Sequence, residues 1–211
     1  MKINTSMFGW IVAAALAVTL GTAGFQSGSE KTGVVDMQRM VSTSELGLKN
    51  EQTLNAALAS RRDLLDFIRK YGVLTTDQAN KLRTLTLKEN ATEADKAEIN
   101  RIRKEVMDAS DNRNKLLQKP NPTDADRLAL QDYNNRAQTM GEVMGQWSEE
   151  FQNELDQIET SVRTATVTKA RQVLKDLAKQ QGYSVVFEAS VAPYGANDLT
   201  EAGVKALNAA R

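Results

Sequence analysis

An apolar stripe that recurs every three or four residues dominates the second half of the chain, from Thr123 to about Gln181. No proline interrupts this stretch, and charged or amide residues fill most positions between the apolar ones. This spacing is typical of a helix that packs along one face. The stripe begins with Leu130, Tyr133, Ala137, Met140, Met144, Trp147 and Phe151. Because a helix of this length is unstable alone, we expect its stripe to pack on other helices of the chain.

Two upstream stretches supply those partner helices. Residues 92–118 carry a matching stripe, and the segment 119–122 (KPNP) makes a turn before the long helix, so the pattern predicts an antiparallel hairpin. Farther from the turn, residues 42–70 can pair with residues 150–181. Residues 71–92 remain as an extra segment with a short helix of its own.

The predicted helix starts share one local chemistry. A threonine is followed three residues later by Gln or Asp, which is the spacing of a capping box. The three pairs are Thr75 with Gln78, Thr92 with Asp95, and Thr123 with Asp126. Ser42 and Ser44 are candidate caps of the first helix, and the helix of the extra segment is expected at about residues 77–89.

Two short strand signals bracket the helices, at residues 32–37 (TGVVDM) and 182–189 (GYSVVFEA). The helical hairpin between them would bring the two strands together. Two strands alone rarely form a stable sheet, so their open edges predict pairing between copies of the chain. We interpret five apolar residues of these strands as sheet core: Val34, Val35, Val185, Val186 and Phe187.

The predicted fold class is therefore mainly α, with a long antiparallel helical hairpin on a small β domain formed by the two chain ends. Residues 42–181 form the coiled-coil-like arm. Residues 32–41 and 182–211 form the β association domain, which ends in a short helix from Thr200.

The N-terminus has the layout of an export signal. Lys2 is the only charge before Glu30, and an uninterrupted apolar run extends from Met7 to Leu20. We interpret residues 1–23 as a signal peptide and residues 24–31 as a linker. Two alternatives stay open: cleavage one residue later, and an uncleaved membrane anchor. Each of them places the rest of the chain outside the cytoplasm.

Composition excludes several kinds of chemistry. Lys plus Arg equals Asp plus Glu at 27 each, so no overall field attracts nucleic acid. The chain has no cysteine and no histidine, which excludes thiol nucleophiles, disulfides, the usual zinc sites and histidine-based catalysis. Glu30 stands before Lys31 where a phosphate-binding loop needs glycine. We therefore predict no catalytic residue, metal, cofactor, nucleotide or nucleic-acid partner.

Two motifs at the chain ends resemble a known family. The first is the segment 33–40 (GVVDMQRM), followed by Ser42, Ser44 and Gly47. The second is the segment 182–188 (GYSVVFE), followed by Val191, Tyr194 and the segment 198–200 (DLT). Bracketing a helical hairpin behind an export signal, they are similar to the ends of the Skp (OmpH) periplasmic chaperones.

The resemblance implies a homotrimer whose strands form a small central barrel, with the five strand residues named above in the trimer core. Three arms would enclose a cavity that holds unfolded outer-membrane or exported proteins in the periplasm without ATP. The arms of this family are typically basic. Here residues 75–148 contain 12 Lys/Arg and 12 Asp/Glu, so electrostatic capture of such client polypeptides is in question.

Met140, Met144 and Trp147 are the candidate client-binding residues, because methionine and tryptophan adapt to varied apolar partners. Their heptad spacing, however, favours a role as packing residues of the helical seam over client contact. A second hypothesis for the whole protein is a structural coiled-coil spacer or scaffold in the cell envelope, which would bind one defined partner.

Overall fold

A computed structural model describes residues 31–195 and 197–210, so the predicted signal peptide and linker residues 24–30 lie outside the described residues. The elements run in the order β1 (Lys31–Val35), α1 (Met37–Ser42), α2 (Glu45–Tyr71), α3 (Thr76–Thr86), α4 (Glu93–Leu117), α5 (Asp124–Gln180), β2 (Tyr183–Glu188) and α6 (Thr200–Ala209). The predicted fold class, long helices with a small sheet formed by the chain ends, is confirmed.

The described chain forms two compact units. Residues 31–52 and 160–210 form one, which we call the terminal unit, and residues 53–159 form the other, the arm unit. No helix in the described part of the chain combines the length and apolarity that a membrane crossing needs.

In the terminal unit, β1 and β2 pair in parallel, with Val34 opposite Phe187. The other edge of β1 is also occupied, because the N–H of Val34 donates to the Asn197 carbonyl (2.8 Å) and the N–H of Leu199 donates to the Val34 carbonyl (2.8 Å). Directly after β2, the N–H of Ala189 donates to the Val35 carbonyl of β1 (2.8 Å). Because backbone groups alternate along a strand, the N–H and carbonyl of Val186 point away from β1. Among the described residues, the open edge of this sheet is therefore that of β2.

The core of the terminal unit joins this sheet to α1, α5 and α6. Its buried residues are Val35, Met37, Met40, Ala170, Leu174, Ala178, Tyr183, Val186, Leu199 and Leu207. Residues from both ends of the sequence thus bury one apolar surface, which is the main stabilising contribution to such a unit.

The predicted bounds around the first strand were wrong in three places. The strand ends at Val35 instead of residue 37, because the Asp36 side chain accepts the Arg39 N–H (2.8 Å) and begins α1. Lys31 belongs to β1 and not to the linker. Ser42 ends α1, and it is Ser44 that caps α2 by accepting the Gly47 N–H at 3.0 Å.

The arm unit has one core to which four helices contribute. Its buried residues are Leu64, Ile68, Val73, Leu74, Ala79, Leu82, Ile102, Val106, Met140, Trp147 and Phe151. The extra segment is thus part of this core through α3, which ends at Thr86 and not at residue 89. The other three helices, α2, α3 and α4, bury a wider face of α5 than a hairpin partner alone would cover.

Local signals in the arm unit were predicted correctly. Thr75 and Thr92 form capping boxes. Thr123 does the same, since its N–H donates to Asp126 (2.7 Å) and its hydroxyl accepts the Asp126 N–H (3.2 Å). The antiparallel hairpin of α4 and α5 is confirmed where the Asn112 amide donates to the Tyr133 hydroxyl (3.1 Å).

A pair of glycine substitutions tests the close contact between the start of α2 and the end of α1 in the terminal unit. A Cβ on Gly47 would lie 2.0 Å from the Val41 carbonyl oxygen, whereas one on Gly141 would meet nothing within 4 Å. Both glycines lie in helices, where alanine is intrinsically better by about 1 kcal/mol. We expect Gly47→Ala to lower the free energy of unfolding by roughly 1–3 kcal/mol and Gly141→Ala to raise it. Urea unfolding followed by circular dichroism measures both, and equal shifts would contradict the packing around Gly47.

Candidate interaction surfaces

Met140, Met144 and Trp147 lie on α5 in the arm unit. Met140 is 1% exposed and Trp147 is 5% exposed, and both belong to the shared core. Met144 is half-buried and packs against that core. Their position fits the seam role, and client contact at these residues stays a prediction.

Arg83 of α3 covers the aromatic part of this core. Its guanidinium carbon lies 5.1 Å from the Trp147 ring centroid and 5.0 Å from that of Phe151. The same group donates to Glu150 (2.5 Å) and to Glu154 (3.0 Å). Cation–π contact and ion pairing therefore act together to seat α3 on α5.

Glu154 is also bound from α2. Arg61 donates to it through Nη2 (2.8 Å) and Nε (3.0 Å), with its guanidinium 5.7 Å from the Phe151 ring. Arg61 lies at the same helical spacing as the apolar residues Leu58 and Leu65 of α2, and its pairing with Glu154 accounts for a charge at that position. One carboxylate thus joins three helices over an aromatic pair, which leaves those rings little surface for another molecule.

Most cations of the arm unit are already paired within the chain. Between helices, Arg103 pairs with Asp63, and Lys81 lies 2.5 Å from Glu98. Hydrogen bonds from Arg101 and Lys81 lower the pKa of Glu98 to about 2, so that carboxylate stays charged at neutral pH. The balanced composition therefore reflects local neutralisation, and few free positive charges remain to attract an acidic polypeptide.

Several large apolar side chains are exposed to solvent, and the spacing of apolar residues in the sequence did not identify them as exposed. They are Leu48, Met107, Leu117, Leu128, Phe187, Val191 and Tyr194. Leu117 directly follows the half-buried Leu116, so a period of three or four does not separate the two. Only the rotation of each helix in the fold decides which apolar residue faces outward.

The terminal unit carries a surface groove of about 430 Å³ between its sheet and the loop that follows β2. Residues 32–34 and Phe187 line it on one side, and residues 191–195 line it on the other. Gly195 lets the loop lie close to β1, since a Cβ there would be 2.1 Å from Val34 Cγ1. Tyr194 is 99% exposed beside this groove.

The five predicted sheet-core residues divide between the two sides of the sheet. Val34, Val35 and Val186 are buried within the chain, and Val185 is half-buried. Phe187 is 38% exposed and faces the groove. The terminal unit therefore presents an apolar surface at the edge of its sheet, and the part of the prediction that concerns a trimer stays a prediction.

Within residues 31–195 and 197–210, no three acidic side chains are grouped so that they could hold a metal ion. Two surfaces of the described residues are candidates for binding. They are the open edge of β2 with its groove, and the exposed apolar residues of the arm unit.

A family model described as outer membrane protein (OmpH-like) matches residues 31–207. No curated protein and no solved structure matches the chain. The matched residues begin with β1 and extend into α6, so they include the sheet, the arm unit and the groove. The family is one of outer-membrane-protein chaperones, and it is the one that the two terminal motifs resemble. The chain therefore belongs to the OmpH-like family.

Proposed function

We propose that this protein is an ATP-independent holdase chaperone of the periplasm, which binds unfolded outer-membrane or exported polypeptides. The observation that carries the proposal is the match of one chaperone family model to residues 31–207. The export-signal pattern of residues 1–23 supports the location, since it would direct the rest of the chain out of the cytoplasm.

Holding an unfolded chain requires many weak apolar contacts and no chemical step. Exposed apolar residues on both units supply such contacts, and each contributes in proportion to the area that it buries. Because residues 75–148 of the arm unit carry no net charge and most cations of the unit are paired within the chain, we infer that client capture here depends on apolar contact more than on charge.

Self-association through the terminal unit is the second part of the proposal. The β2 edge of this unit has backbone groups without a partner strand among the described residues. Beside it, the apolar side chains of Phe187, Val191 and Tyr194 are exposed to solvent. A further copy of the chain can supply a strand and an apolar surface together. Three copies is the number that the family resemblance implies.

A structural spacer in the cell envelope is the alternative function. It is favoured by one observation, that the arm unit uses its main apolar stripe in its own core. A spacer would bind one defined partner and would not distinguish folded from unfolded polypeptides.

The first functional test is aggregation of an unfolded β-barrel outer-membrane protein on dilution from urea. We expect the mature protein to suppress light scattering without nucleotide, because binding alone keeps the client soluble. A folded soluble protein serves as the control for nonspecific binding. Absence of suppression at both low and high salt would favour the spacer.

Truncation of the seam residues tests their role. We expect Met140→Ala and Trp147→Ala each to lower the free energy of unfolding by roughly 2–5 kcal/mol, because each removes a buried side chain from the arm-unit core. Urea unfolding measures this loss. The combined variant with Met144→Ala should still bind clients under conditions in which it is folded. If it keeps its stability but loses binding, these residues contact the client.

Assembly is tested at the surface of the sheet. Val186 is unsuitable, because its side chain is 2% exposed within the chain and a charge there would unfold the unit. Phe187→Asp is expected to dissociate the trimer while leaving the helical circular dichroism unchanged. Light scattering coupled to size exclusion gives the mass, and Leu48→Asp on α2 is the control. A monomeric wild-type protein, or a Phe187→Asp variant that remains trimeric, would contradict the proposal that copies of the chain associate at this surface.

A further inference from the structure

We propose that Glu188, the last residue of β2, binds a proton as the pH falls from about 7 to about 5 and thereby stabilises the terminal unit. Its carboxylate and that of Asp36 bind N–H groups at the start of one helix, α1. This property belongs to the fold of the terminal unit. It goes beyond the proposed function and does not depend on it.

The two carboxylates reach the first turn of α1 from different parts of the chain. The N–H of Met37 donates to Glu188, and its nitrogen lies 3.3 Å from Oε1 and 3.4 Å from Oε2. The N–H of Arg39 donates to Oδ1 of Asp36 at 2.8 Å. Because these two donors belong to the same helical turn, the two negative charges lie close to each other.

The backbone holds both residues in place. Glu188 is paired with Val35 in the sheet, and the N–H of the next residue, Ala189, donates to the Val35 carbonyl at 2.8 Å. The N–H of Asp36 donates to Oγ1 of the buried Thr200 at 2.9 Å. Since neither backbone is free to move away, uptake of a proton is the available way to relieve the repulsion between the two carboxylates.

Protonation of Glu188 does not remove its hydrogen bond. Its two oxygens share the single N–H of Met37, so one oxygen can carry the proton while the other continues to accept. Glu188 is half-buried, and this burial raises the pKa of its carboxyl above the ordinary value of 4.5. The Met37 hydrogen bond opposes this rise in pKa, and the charge of Asp36 adds to it. Folding therefore favours the neutral form of Glu188.

Charged side chains on the neighbouring elements have other contacts. Arg39 of α1 donates to Glu201 of α6 at 2.6 Å. Lys31 lies at the opposite end of β1 from the residue that pairs with the end of β2. Hydrogen bonds from Thr200 lower the pKa of Asp198, so this carboxyl stays charged near neutral pH. The charge that acts on the proton-binding carboxyl is thus the nearby negative one at the start of α1.

The direction of the pH effect follows from the raised pKa of Glu188. A carboxyl whose pKa is raised by folding stabilises the folded chain increasingly as the pH falls through its folded pKa, and fully below its unfolded value, ordinarily 4.5. Four carboxyls with lowered pKa act in the opposite direction, but only below their ordinary values of 3.8 for Asp and 4.5 for Glu. They are Asp95, Glu98, Asp126 and Asp198. Between neutral pH and 4.5, the effect of Glu188 is therefore not opposed by these four groups.

The first test compares the melting temperatures of mature full-length variants between about pH 7 and about pH 5. Glu188→Gln removes the titration and keeps a side-chain oxygen for the Met37 N–H. We expect the wild-type melting temperature to rise relative to that of Glu188→Gln as the pH falls. Its difference from Glu51→Gln, an exposed residue of α2 in the same unit, should stay constant. Equal differences from Glu188→Gln at both pH values would overturn the inference.

The second test observes the proton in the wild-type chain and is independent of self-association. The Met37 amide signal in nitrogen–proton correlation spectra reports on Glu188, because its N–H is bound to that carboxyl. We expect this signal to titrate with a midpoint above 4.5. In Asp36→Asn the midpoint should fall, since asparagine removes the charge and keeps a helix-capping oxygen. A wild-type midpoint at or below 4.5, or the same midpoint in Asp36→Asn, contradicts the inference.

Discussion

The parallel pairing of β1 with β2 is the constraint on which the rest of this chain depends. A tight turn cannot join parallel strands, so everything between them must leave the sheet and return to it. The excursion here consists of α1 to α5. Within the terminal unit the outgoing and returning helices are tied by the amide of Asn50, which donates to the buried Thr166 hydroxyl at 2.5 Å. A polar pair of this kind is compatible with few alignments of the two helices, and it favours the one that brings the strands into register.

Apolar burial and ion pairing have different tasks in the arm unit. Val73, Leu74, Ala79 and Leu82 are completely buried, and a fully buried large apolar side chain contributes about 1.5–3 kcal/mol. Partly exposed ion pairs contribute about 0–1 kcal/mol each. Burial therefore keeps the α3 segment in the core. The Arg83 and Glu154 contacts decide instead where along α5 it is seated, since they are directional and a shifted helix would lose them.

Burial and ion pairing between helices explain why exposed binding residues were harder to predict from the sequence than the helices and strands that carry them. Met140 and Trp147 have the side chains of an adaptable binding surface, yet the addition of α3 and α4 to α5 buries them. Arg61 is charged although it stands among apolar residues of α2, because its guanidinium donates to Glu154 of α5. The exposed Leu117 and Leu128 near the turn have no sequence signal that separates them from the seam leucines nearby. Which leucines are exposed becomes visible only when the rotation of each helix is known.

The sequence by itself determined helices α2 to α6, the three threonine caps, the turn at 119–122, both strands and the family, because each of these depends on patterns of neighbouring residues. It did not predict α1, which begins inside the predicted first strand. Thr92 with Asp95 specifies a helix start wherever that helix packs. Only the tertiary structure decided that β1 and β2 run parallel, that α3 completes the arm-unit core, and that Phe187 faces outward while Val186 faces in. Those facts depend on contacts between residues far apart in the chain. A local pattern identifies an apolar face, but the partner that covers the face is chosen by the packing of the whole unit.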